Sequence, residues 1–204
     1  MKGRIRSELR VGTRFDAELD GFINDAINAF RSKRFWWAES RTAAAFNTVA
    51  AQEFYGIADV PAFARLISID YVVTTIGTQP FQLTPYRPLP GETASNGTST
   101  GQPISYTWYE NQLRIHPIPS GVFPIRVAGL FSAAAPADDN ELSNPWMTTA
   151  ERLIRSRSKA EIALHRMRDR DLASDMVAAT DEALSQLREE TTSKTETGTM
   201  EAIW

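Results

Sequence analysis

His116 and His165 are the only histidines in this chain of 204 residues, and it has no cysteine. Metal sites and nucleophilic centres draw on imidazole, thiolate and carboxylate groups held at fixed spacings. His116 stands between Ile115 and Pro117, and His165 lies in a basic helical stretch, with no ligand set at metal-site spacing around either. The absence of cysteine removes disulfides, Cys-ligated zinc and a thiol nucleophile. Gly101, Gly121 and Gly129 do not build a phosphate-cradling loop, and no Gly-x-Ser-x-Gly elbow occurs. Both histidines are read as structural, and the chain as a non-enzyme with no cofactor and no metal.

Charge and aromatic groups offer more. Residues 148–167 carry five basic residues, among them Arg152, Arg155 and Arg157, against two acids. Residues 169–190 carry two basic residues against seven acids, among them Asp175, Asp181 and Glu182. A basic helix and an acidic one can satisfy each other within one hairpin, or the acidic face of one copy can meet the basic face of the next. Those six residues are therefore the candidate contacts between subunits. Tyr106, Trp108 and Tyr109 could stack bases, and Arg152, Arg155, Arg157 and Lys159 could meet phosphates. The net charge of −3, and the placement of the two clusters on different elements, argue against specific nucleic-acid binding.

The positioning elements follow from periodicity. Phe15, Leu19, Phe22, Ile23, Ala26, Ile27 and Phe30 form one apolar face, which predicts a helix from Thr13 to about Lys33 closed by Phe35-Trp36-Trp37. Residues 1–12 are expected to be a solvated terminus or a basic arm. Residues 41–57 read as short strands, with a helix open as an alternative through Ala43-Ala44-Ala45. Residues 63–76 and 79–84 read as strands, being rich in β-branched and aromatic types. Residues 85–102, with Pro85, Pro88, Pro90, Gly91, Gly97 and Gly101, are expected to protrude as an arm or to contact a neighbouring subunit. A third apolar strand covers 122–131, and helices are predicted over 148–167 and 169–190. Residues 191–204 form a polar spacer ending in Met200, Ala202, Ile203 and Trp204. No apolar run reaches the ~18 residues of a membrane helix. The N-terminal Met1-Lys-Gly-Arg-Ile-Arg-Ser-Glu lacks the apolar core of a signal peptide.

Between Gly101 and Pro119 the chain reads GQPISYTWYENQLRIHPIP. An aromatic strand, a polar Glu110-Asn111 turn and a Leu-x-Ile strand ending near His116 make a β-hairpin. The order of Gly-x-Pro, aromatic strand, polar turn, short strand and Pro-x-Pro resembles the central signature of tailed-phage head-to-tail adaptor proteins, distant relatives of the tail tubular proteins of short-tailed phages. The opening helix with its Phe35-Trp36-Trp37 close, and Leu142-x-x-x-Trp146 before two helices and a tail, extend the resemblance over roughly Thr13 to Glu190. Such adaptors more often place a short helix before the hairpin, where this chain has its Pro- and Gly-rich stretch.

The resemblance implies a homo-oligomeric ring, a dodecamer, coaxial with a portal protein and joined below to a tail or nozzle protein. DNA would pass through without sequence readout. The location implied is the virion head–tail junction, after assembly in the host cytoplasm, with no membrane involved. It also implies that the tail, through Met200, Ile203 and Trp204, docks on the portal. The expected fold is α+β: a helical bundle (13–37 and 145–190) with a small antiparallel β-region (41–132) inserted, and an extended C-terminal tail. One adaptor domain spans 1–190, with 191–204 as the docking tail. A β-rich ligand- or carbohydrate-binding module, with the hairpin aromatics as platform, is the alternative.

Overall fold

A computed structural model describes residues 1–86, 99–137, 141 and 143–197. They divide into two units, one made of residues 1–38 and 133–204, the other of residues 39–132.

The first unit is helical. Its helices are α1 (Lys2–Leu9), α2 (Asp16–Phe30), α3 (Glu151–Ile162) and α4 (Arg170–Thr197). The residues of the predicted α2 face are all buried or half-buried, and all but Phe15 meet Trp146, Leu153 and Ile154 in one core. Among the described residues Trp146 is the largest fully buried side chain, and its Nε1 donates to the Ala133 carbonyl at 3.3 Å. Asn144 sets up the approach to α3: its Oδ1 accepts from the Trp146 amide at 3.1 Å, and its own carbonyl accepts from Thr148 Oγ1. A π-helical turn (Ala163–Met167) and the left-handed Arg168 then lead into α4, whose first turn is capped by Asp169 accepting from Leu172 N.

The second unit is built from strands β1 (Glu39–Asn47), β2 (Phe54–Tyr55), β3 (Leu66–Ile76), β4 (Gln79–Pro85), β5 (Thr100–Gly101), β6 (Ser105–Tyr109), β7 (Gln112–His116), β8 (Ile118–Pro119) and β9 (Pro124–Phe131). Seven of them form one mixed sheet in the order β1-β9-β3-β4-β6-β7-β2, and β5 pairs with β8. The pairs β4–β6 and β5–β8 are parallel. Inside lies a second core, including Ala44, Val72, Leu83, Leu113, Ile125 and Val127. The register explains it: Val72 stands between Leu83 and Val127, and Ala44 stands opposite Val127, so one face of four strands turns inward.

This architecture corrects the expected fold in three places. The β-region is neither small nor purely antiparallel; a curled seven-stranded mixed sheet is the main element, and a helical bundle is not. Two-residue strands and long-range pairings such as β1 with β9 leave no periodic trace in a sequence. Residues 2–9, expected to be a loose terminus, form a helix because Ile5 and Leu9, one turn apart, bury into the helical core. Residues 191–197, expected to be extended, continue α4: Thr191 is buried, its Oγ1 donates to the Leu187 carbonyl, and Lys194 pairs with Glu190 at 2.7 Å. The rest of the expected tail lies outside the described residues.

On β9, between β1 and β3, Gly129 cannot be replaced without movement. A Cβ built there would lie 2.1 Å from the Ser68 carbonyl oxygen, where the β3–β9 register shifts.

Candidate functional site

The basic residues of α3 are engaged largely within their own helical unit. Arg155 Nη1 lies 3.4 Å from Glu8 and 3.7 Å from Glu151, and Lys159 Nζ is 2.8 Å from Glu8. Arg157 pairs with Glu161, one turn along. Arg152 reaches α4, where Nη2 donates to Glu182 at 2.7 Å and Nη1 to Gln186 at 2.9 Å. The remaining cations of α1 are also paired: Lys2 with Asp20, Arg4 with Glu151 and Arg6 with Asp16. The hydrogen bond from Lys159 is the main cause holding the Glu8 carboxyl below its ordinary 4.5, with the charges of Lys159, Arg155 and Arg4 acting in the same direction against partial burial.

Of the six candidate intersubunit residues, Arg152 and Glu182 are thus brought together inside one copy. Arg155 and Arg157 face acids of their own unit. Asp175 and Asp181 are exposed on α4 and have no ion-pair partner among the described residues. Met200, Ile203 and Trp204 lie outside the described residues.

The aromatic run after α2 divides its work. Phe35 is buried and stacks on Trp37 at 4.6 Å, and both meet Trp146 edge-on. Trp36 is half-buried and carries the Lys194 ammonium 3.6 Å above its ring. This contact fastens the last turns of α4 to the segment following α2. No sequence period announces it, because Lys194 sits in a polar run of threonines, serine and glutamate.

In the sheet unit, the hairpin forms where the turn chemistry places it. Tyr109 pairs with Gln112 across a two-residue connection, and Glu110 and Asn111 take φ of 50° and 59°, as a type I′ turn requires. One side of the hairpin borders an open groove of 660 Å³, lined among the described residues by Tyr86, Tyr106, Trp108 and Tyr109 with Ile69 and Pro85. Tyr86 is fixed as a wall: its amide donates to the Tyr106 carbonyl at 2.7 Å, and its carbonyl accepts from Thr107 Oγ1 at 2.6 Å. Trp108 rests edge-on against Phe63 of the core. Burial, aided by the negative charge of Asp70, pushes the Tyr106 phenol up. Sequence reading named three of these aromatics but missed Tyr86, which belongs to the groove through strand pairing alone.

His116 is half-buried at the end of β7 and stacks on Tyr86 at 6.4 Å, and His165 is exposed with Nε2 3.2 Å from Glu161. Among the described residues no group of three His, Cys, Asp or Glu could hold a metal ion, and no helix is long and apolar enough to cross a membrane.

Over residues 1–201 the chain matches the family model described as SU10 adaptor protein. The chain belongs to that family, in keeping with its resemblance to phage head-to-tail adaptors. No curated protein matches its sequence.

Proposed function

We propose that this phage adaptor is a structural virion protein that forms a ring between the portal and the tail, leaving a channel for DNA. The observation that carries the proposal is the family match across nearly the whole chain. Residues 1–190 act as one adaptor domain, and residues 191–204, the first of which complete α4, act as its docking tail. Twelve copies, as in the resembling adaptors, would stand coaxially on a portal at the head–tail junction, with a tail or nozzle protein below.

Contacts between copies run through the charged helices. Asp175 and Asp181 are the leading candidates because they have no ion-pair partner among the described residues, and Arg152 and Glu182 are exposed enough to exchange partners. Arg155 and Arg157 contribute less, since each already faces an acid of its own copy. Each exposed pair is worth about 0–1 kcal/mol, so such contacts set register around the ring more than they hold it.

The tail supplies the anchor. Met200, Ile203 and Trp204 end a polar stretch with three large apolar side chains, and a buried Trp anchor is worth about 2–4 kcal/mol per copy, multiplied by repetition around a ring. Deleting residues 200–204 and measuring portal binding beside thermal melting tests this. Lost binding with an unchanged melting temperature supports docking. Full binding removes the tail from the portal contact, and a lowered melting temperature assigns those residues to the chain's own core.

A further inference from the structure

We infer that the outer edge of β1 pairs with β1 of a second copy of this chain, in a two-fold dimer of the free protein centred on Phe46. The inference goes beyond the proposed ring, whose copies meet head to tail rather than about a two-fold axis.

β1 borders the sheet, with β9 on one side and no described strand on the other. Thr48 N donates to the Phe123 carbonyl at 2.9 Å, continuing the ladder in which Phe46 stands opposite Ile125 and Ala44 opposite Val127. Backbone groups alternate in direction along an antiparallel strand, so Ala44 and Phe46 also bond β9, while Ala45 and Asn47 turn their amides and carbonyls outward. Pro124, opposite Asn47, agrees with this: its carbonyl faces β3, where it accepts from Thr74 Oγ1 at 3.1 Å. The outward row is closed at both ends. Ser40 Oγ accepts from the Thr42 and Ala43 amides at 3.3 and 2.9 Å. Beyond Asn47, the Val49 amide donates to Tyr55 Oη at 3.0 Å and the Val49 carbonyl accepts from Gln52 N at 3.1 Å. A window of two amides and two carbonyls remains, on Ala45 and Asn47. The opposite edge of the sheet is blunted by its own side chains. There the Gln52 side-chain amide donates to the Phe54 carbonyl at 2.9 Å, and Asp59 accepts from the Gly56 amide at 2.8 Å.

The window is complementary to itself. Antiparallel pairing about an axis at Phe46 sets Ala45 opposite Asn47 of the second copy, and Asn47 opposite its Ala45. Both are hydrogen-bonded pairs, so every amide and carbonyl of the two windows finds a partner. An axis at Ala45 would instead set Asn47 against Ala43, whose amide Ser40 already holds. A two-fold axis also brings like side chains together, so a charge in the strand would repel itself. Residues 42–52 read TAAAFNTVAAQ and carry none, in a chain that is 23% charged. On the outer face Val49, 55% exposed, comes to lie over the small Ala43 of the second copy. On the inner face the two Phe46 rings, each half-buried beside Tyr55 and Phe63, meet across the axis. So short a contact stays below the ~1,200 Å² of a stable complex, which makes the dimer reversible and leaves its copies free to build a ring.

Sedimentation velocity of the free chain, up to about 1 mM, should show a concentration-dependent equilibrium between monomer and dimer. A chain that is monomeric throughout overturns the inference. Ala45→Pro removes an amide that β9 does not use, so it should keep the melting temperature and weaken the dimer about tenfold or more. A dimer of unaltered strength overturns the inference as well. The register is read separately in variants that leave the backbone alone, because the chain has no cysteine of its own. Opposite residues of a hydrogen-bonded pair have Cα atoms about 5.5 Å apart, within disulfide reach, whereas the diagonal 45–45 and 47–47 pairs lie at about 7–8 Å. Under mild oxidation an equimolar mixture of Ala45→Cys and Asn47→Cys chains should therefore give linked heterodimers, and each variant alone should give few. Equal linking in all three samples, or none in the mixture, overturns the inference. These readouts use no portal protein, so their failure leaves the ring untouched, and failure of the ring leaves the dimer standing.

Discussion

Lys159 Nζ donates to Glu8 Oε2 at 2.8 Å, joining side chains 151 positions apart and fixing α1 against α3. The contact turns a highly charged terminus into part of the helical core, since it holds Ile5 and Leu9 where they bury. Replacing Glu8 with Gln should cost about 0.5–1 kcal/mol at neutral pH, discounted because the Glu8 side chain is 39% exposed. A carboxyl held low in the folded state stabilises fully above its unfolded pKa, and that contribution disappears as pH falls through the lowered folded value. Urea unfolding at pH 7 and across pH 5 to 3 should therefore show a smaller acid loss in the Gln variant. Equal acid losses would remove Glu8 from the pH dependence.

Gly129→Ala should destabilise the sheet unit by about 1–3 kcal/mol, because the new methyl meets the Ser68 carbonyl at a distance no real Cβ tolerates. Chemical denaturation followed by tryptophan fluorescence would measure it. A variant as stable as the parent would mean that strands β3 and β9 separate freely at this point.

Glu110→Asn should stabilise the chain by about 0.5–1 kcal/mol, since Asn tolerates the left-handed backbone that Glu110 adopts at φ 50°. A lower melting temperature would show that the Glu110 side chain makes a contact worth more than the strain.

Asp175→Lys with Asp181→Lys should leave the melting temperature within about 1 °C, in line with the small effect of surface substitutions. The same variant should weaken assembly. Arg155→Glu should act in the opposite manner, destabilising the single chain by about 1 kcal/mol because Glu8 and Glu151 would then face a third acid. Light scattering beside thermal melting separates the two effects. Unaltered assembly of the double Lys variant would take α4 out of the contact between copies.

How far the fold was legible depended on whether a residue's role was local. The hairpin could be read because Glu110-Asn111 and the flanking alternation act within ten residues, and α2 could be read because its apolar face repeats every turn. Ile5 and Leu9 were overlooked because two apolar residues among Lys2, Arg4, Arg6 and Glu8 look like a solvated arm until α3 is present. The sheet was underestimated because β2, β5 and β8 are two residues each and acquire meaning only through partners far along the chain. Thr191 to Thr197 read as a tether because threonine is a poor helix former, yet packing at Thr191 and the Lys194–Trp36 contact override propensity there. Of the candidate sites, the charge separation of α3 and α4 was visible, whereas the engagement of Arg155 by Glu8 needed the folded position of α1.

The central claim is that this family member works as a ring seated on a portal. The direct measurement is the number of copies bound per portal ring, taken from light-scattering mass of the purified complex with the portal protein of the same phage. The account predicts a single species carrying one closed ring of the chain, twelve copies per portal, with no further addition at excess protein. A chain that stays monomeric beside the portal, or that adds without limit, would contradict it.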